Sequence, residues 1–225
     1  MAESLVLAAM AIDGGFASLT ASVASSHFCS AERQYRTPLE YGGQRTPTAQ
    51  WTVTGSGAVV LSQDGEGPWI THATIGRVVD KGVKDANNMG PAMAPAAYDT
   101  LTAHFADTGR RPSDYDLIVT GDLGSLGLEL LQDLFHMDGV EFSNLDDCGV
   151  RIYDAQSQDV HCGDSGCGCS AAVLTGQLLP RMREGRCRRL LFCGTGALLS
   201  PTSTMQGESI PGICHAVAFS ALKGG

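Results

Sequence analysis

Apolar residues recur at helical spacing through Leu5, Ala8, Ala9 and Ile12, and Gly14-Gly15 supplies a stop, so residues 3–12 are predicted to form a helix. Residues 16–24 then read as a buried strand. The next stretch, SSHFCSAERQYRTPLEYGGQRTPTAQ, has no period and is punctuated by Pro38, Gly42, Gly43 and Pro47. Loops of this length are functional or disordered, and Phe28, Tyr35 and Tyr41 argue against disorder. Residues 51–61 and 69–79 read as two strands, joined by the turn residues Gln63 to Gly67 into an antiparallel hairpin. Beyond Asp85, helices are predicted at 92–106, 126–135 and 168–184, the first tolerating Pro95 only within its opening turn. Strands are predicted at 115–120 (YDLIVT), 189–193 (RLLFC) and 213–219.

This order repeats itself. Residues 1–25 run helix, glycine stop, strand and small-residue turn, and residues 171–195 do the same when Gly15 is aligned with Gly185. Each is followed by further β structure. The chain is therefore expected to be α/β and built of two related halves, residues 1–84 and 85–225. The first half lacks a strand and helix to match residues 92–135, so Met1 is expected to be an internal methionine of a longer chain.

Composition narrows the function. A formal net charge of −9 offers no basic surplus to displace counterions from phosphates, so nucleic acid is not an expected partner. The cluster Arg181, Arg183, Arg186, Arg188 and Arg189 reads as a solvated helix end. No apolar run reaches the roughly 18 residues needed to span a bilayer, and the opening MAESLVLAAM has no basic n-region, so no transmembrane helix or cleaved leader is expected. The eight cysteines are accordingly expected as thiols, mostly buried.

The strongest local signal is CGDSGCGCSAA, residues 162–172, a Gly/Cys-rich turn that opens a helix. Gly163, Gly166 and Gly168 allow close backbone approach, and the helix start favours an anion. Cys167 and Cys169 there are candidate activated thiolates. Zinc at His161, Cys162, Cys167 and Cys169 is disfavoured, because Cys-x4-Cys-x-Cys lacks paired two-residue spacing. A nucleotide phosphate loop lacks its lysine signature. Ser26 and His27, Asp122 and His215 sit on or just beyond predicted strands, where α/β scaffolds place shared crevices. Asp146-Asp147-Cys148-Gly149 fits an Asx turn as well as a ligand site.

Eight segments carry a resemblance: SSHFCSAERQYRTPLEYGGQ, TAQWTVTGSGA, MGPAMAPAA, YDLIVTGDLG, DDCG, GDSGCGCSA, GTGALLSPT and the later IPGICHAVAF. In this order they resemble the thiolase superfamily, ketoacyl synthases included, and within it the stage V sporulation AD family of spore-forming bacteria. The resemblance implies a thiolase-like αβαβα layered fold and a homodimer. It also implies that the first strands and a nucleophile-position cysteine lie upstream of Met1. It implies a non-catalytic protein that binds dipicolinic acid, or its calcium chelate, during uptake into the developing spore. Its place would be peripheral on the inner forespore membrane, beside other stage V sporulation uptake proteins. No resident cofactor or metal is expected, calcium arriving only with the ligand.

Active members of the superfamily place a histidine at positions that here hold Asp122 or Asp164. Neither carboxylate supplies an imidazole base or a cationic oxyanion donor. The turn at 162–170 is then pocket wall rather than catalytic centre. The expected ligand contacts are Ser26, His27, Asp122, Asp147, Asp164, Ser165, Cys167 and His215, with His27 and His215 together receiving one carboxylate. The alternative readings are a cysteine-thioester acyltransferase and a docking scaffold.

Overall fold

The structure, a computed structural model, describes residues 1–29 and 46–223. Most of the aperiodic segment, including Tyr35, Pro38, Tyr41, Gly42 and Gly43, lies outside the described residues.

The first elements are helix α1 (Ala2–Asp13) and strands β1 (Leu19–Ser26), β2 (Trp51–Thr52), β3 (Gly55–Ser62) and β4 (Trp69–Ile75). Helix α2 (Gly90–Thr108), strand β5 (Leu117–Thr120), helix α3 (Gly124–Met137), strand β6 (Leu145–Asp147) and the short helix α4 (Cys148–Arg151) follow. Strand β7 (Asp164–Ser165) leads into α5 (Cys167–Val173), a π turn (Leu174–Leu178) and α6 (Leu179–Arg183), which run end to end. Strand β8 (Arg189–Ala197), helix α7 (Pro201–Met205) and strand β9 (Gly212–Ser220) complete the set.

A five-stranded sheet of order β4-β9-β8-β5-β6 forms the centre, with β5 parallel to β6 and β8, and β9 antiparallel to β8 and β4. Alternation along its strands feeds two cores. Leu190, Phe192, Val217 and Phe219 face α1 and the α5–α6 rod, while Leu191, Cys193, Ala216 and Ala218 face α2 and α3. Burying a side chain such as Phe192 contributes about 1.5–3 kcal/mol. On the far side of α1 and α5 lies the two-stranded sheet β1-β3. The order is thus sheet, helices, sheet, helices: four of the layers of an αβαβα arrangement.

The internal repeat has a structural counterpart. α1 and the α5–α6 rod are each followed by a left-handed glycine, Gly15 and Gly185, both at φ 73°. Each then leads into a strand, β1 or β8, paired antiparallel with β3 or β9 respectively.

Three expectations need correction. The 51–61/69–79 hairpin does not form: β3 pairs with β1, and the chain crosses to the other sheet, where β4 pairs with β9. That strand precedes residue 84, so by pairing it belongs to the sheet of the second half. Strand β1 is not buried on both faces, for Leu19 and Val23 are 63% and 57% exposed. Pro95 is not in the opening turn; α2 starts at Gly90 with Pro91 in its first turn, and Pro95 is an interior residue. By position, Pro95 leaves the Pro91 carbonyl without its helical donor.

Candidate functional site

The turn at residues 162–170 is built by β7, which pairs in parallel with β2, and by two glycines at positive φ, Gly163 (100°) and Gly166 (105°). Two of its backbone donors are matched to side chains within the fold. The Gly166 N–H donates to Asp122 Oδ2 (3.1 Å) and the Gly168 N–H to Ser26 Oγ (2.7 Å), while Ser26 Oγ donates to the Val53 carbonyl (2.8 Å). The helix start packs so tightly on β1 and β3 that a Cβ at Gly168 would stand 2.4 Å from the Gly55 carbonyl oxygen. An anion-friendly helix terminus was expected here; two of its donors already end on side chains of the protein.

Asp122 joins three loops. Its carboxylate also receives Thr195 Oγ1 (2.7 Å) from β8, and its own N–H donates back to that hydroxyl (2.9 Å). Gln50 Nε2 spans two neighbouring carbonyls, of Asp122 (3.0 Å) and Asp164 (3.1 Å). His215, on β9, accepts the Gly76 N–H at Nδ1 (3.1 Å), so its neutral ring carries the proton on Nε2.

These loops bound a cleft of about 640 Å³. Of the expected contacts, the structure brings Asp122, Ser165, Cys167 and His215 to its wall. Val78, Met89, Met93 and Ile213 supply an apolar side, and Thr195 with Gly194 and Gly196 a polar one. Among the described lining residues there is no Lys or Arg, whereas Asp122 and Glu3 are acidic.

The other expected contacts have different surroundings. Asp147 is fully buried and accepts from Thr120 Oγ1 (2.6 Å) and from the N–H groups of Leu123 (2.9 Å), Gly124 (3.1 Å) and Val150 (3.2 Å). It pins the β5–α3 loop and caps α4, a structural task in place of the ligand contact expected of it. Asp164 is buried, with Oδ1 accepting the Ser165 N–H (3.0 Å). Ser26 lies beneath the turn rather than on the cleft wall. His27 is exposed beyond β1, its Nδ1 accepting the Cys29 N–H (3.2 Å), and it does not line the cleft. The structure therefore does not bring His27 and His215 together on the cleft wall.

The thiols divide likewise. Cys167 is exposed on the cleft, but Cys169 is buried and burial drives its thiol pKa well up, the opposite of the activation expected. Cys162 is buried, donating to the Pro47 carbonyl, and His161 Nδ1 lies 2.6 Å from the Thr46 carbonyl oxygen. Among the described residues no three His, Cys, Asp or Glu side chains converge as a metal site. Thr195 and Gln50 were missed as site residues. Thr195 could have been found by extending the 189–193 strand to its true end, since crevices form at strand ends.

The family profile described as Stage V sporulation protein AD (SpoVAD) matches residues 1–220. Stage V sporulation protein AD of Bacillus subtilis (strain 168) is 48% identical over 223 residues, covering 99% of this chain and 66% of the relative. The chain thus spans under two thirds of that relative's length. Among solved structures, the tetronic acid condensing enzyme AbyA1 is similar with a TM-score of 0.60 at 14% identity, covering 97% of this chain and 64% of the other. The 3-oxoacyl-acyl-carrier-protein synthase III of Aquifex aeolicus VF5 is similar with a TM-score of 0.55 at 12% identity, covering 97% and 63%. At these identities the likeness speaks for the fold alone, which is thiolase-like. By its family match and its close relative, this chain belongs to the stage V sporulation protein AD family.

Proposed function

We propose that the chain is a non-catalytic binding protein for dipicolinic acid, pyridine-2,6-dicarboxylate, acting in the uptake of that compound into the developing spore. The observation that carries this reading is the 640 Å³ cleft, of a size that suits a small molecule, with an apolar side of Val78, Met89, Met93 and Ile213 for a flat ring. Ser165 and the Nε2–H of His215 are the donors to its carboxylates. The absence of Lys and Arg among the described lining residues favours the calcium chelate over the free acid as the form bound. No helix among the described residues is long and apolar enough to cross a membrane, so a place at the inner forespore membrane would be held through partner uptake proteins.

Acid/base catalysis has little to work with at the two carboxylates that stand where the superfamily's histidines are expected. Asp122 is committed as an acceptor to Gly166 and Thr195, and Asp164 is buried beside Ser165. One observation favours acyl transfer instead: Cys167 is exposed on the cleft. Calorimetry with dipicolinate, with and without calcium, separates the readings. Saturable binding weakened at least about tenfold by His215→Ala supports the proposal. A covalent acyl adduct on incubation with acyl-CoA, seen by mass spectrometry, supports the alternative and contradicts it.

A further inference from the structure

We infer that Asp122 is the charge-selecting residue of the cleft: its carboxylate sets a preference for a ligand whose charge is neutralised over the same ligand as a free anion. The inference rests on the proposed reading of the cleft as a diacid site, and adds a determinant which that reading does not assign.

At the corner where β5, the β7–α5 turn and β8 meet, the Gly166 N–H and the Thr195 hydroxyl are the donors that would receive a ligand oxygen. Both already end on the Asp122 carboxylate, at 3.1 and 2.7 Å. The protein thus holds a carboxylate of its own in that corner, fixed from three loops because the Thr195 hydroxyl also accepts the Asp122 N–H. A second carboxylate entering beside it meets a charge where it would need a donor. Glu3 on the cleft wall adds to the repulsion; the cation facing it is the Met1 α-amino group, whose charged form burial disfavours, and no Lys or Arg among the described lining residues adds to it. At ~4 Å, like charges in a partly screened cleft interact strongly enough to shift binding at least about tenfold. A metal chelate presents the opposite field on its cation side, and Asp122 then attracts what it otherwise repels.

The test compares dipicolinate with its 1:1 calcium chelate, by calorimetry, on the wild type, Asp122→Asn and Thr195→Val. Asparagine keeps an oxygen to accept from Gly166, turns its NH2 toward the Thr195 hydroxyl oxygen and removes the charge; valine keeps the charge but removes the Thr195 hydroxyl. The wild type should prefer the chelate, Asp122→Asn should lower the chelate-to-dianion affinity ratio at least about tenfold, and Thr195→Val should retain the preference. The ratio is taken within each variant, so a loss of folded fraction does not mimic the effect. An unchanged ratio in Asp122→Asn, or a wild type that prefers the free dianion, overturns the role of Asp122 and leaves the binding function standing. No binding of either form by the wild type overturns both.

Discussion

Asp147 and His104 are buried ionisable residues whose environments push stability in opposite directions with pH. Burial raises the Asp147 carboxyl to about 7, against the pull of its Thr120, Leu123 and Gly124 donors. The folded state then holds this proton more tightly than the unfolded chain. Its contribution is present below about pH 4 and is lost as pH rises through about 7. Burial, helped by His72 and Arg110, lowers His104 to about 4, where it bridges Thr74 and Tyr115. Its contribution is present above about pH 6.5 and is lost as pH falls through about 4. In urea unfolding, Asp147→Asn should gain on the wild type as pH rises through about 7, and His104→Gln as pH falls toward 4. Asp147→Ala should cost about 3 kcal/mol, because it strands buried donors. The sequence marked Asp147 as either an Asx turn or a ligand contact. It could not choose, because three of its four donors come from residues 120–124, which no local pattern connects to it.

At the scale of elements, the start of α5 is secured from another strand. Ser26 on β1 takes the Gly168 N–H, doing from a distance what an N-cap side chain does locally. Ser26→Ala should lower stability by about 1 kcal/mol, read from the urea midpoint at constant slope. Gly168→Ala should cost about 1–3 kcal/mol, because its Cβ would press on the Gly55 carbonyl and Ser26. The helices and most strands were legible from periodicity, and so was the α1–β1 and α5–α6–β8 repeat. Partners were less legible. Gln63 to Gly67 has hairpin composition, yet β3 and β4 part company there, because β3 docks on α5 and pairs with β1 while β4 completes the edge beside β9. Alternation shows that a segment is a strand, not which strand it joins. For the same reason Ser165 and Asp122 were legible as site residues, while Thr195 was hidden in a strand taken as ending four residues too early.

On the whole molecule, the outer face of β1-β3 carries exposed Leu19 (63%), Val23 (57%) and Val60 (66%). An apolar sheet face of this kind promotes association. Leu19→Lys combined with Val60→Lys should reduce concentration-dependent self-association in sedimentation experiments, while shifting stability by less than about 1 kcal/mol. The global charge of −9 bears on the cleft as well, since it does not draw a free dianion inward. The fold assembles the cleft from residues far apart in sequence, Asp122, Ser165, Thr195 and His215. On the proposed reading, this cleft is where a small planar diacid is held. The most direct measurement is a crystal structure of the chain grown with dipicolinate and calcium. The expected result is a planar ligand between the Met89 and Met93 side and Ser165, Thr195 and His215, with its cation toward Asp122. A ligand bound elsewhere, or a cleft left empty at saturating dipicolinate, would contradict it.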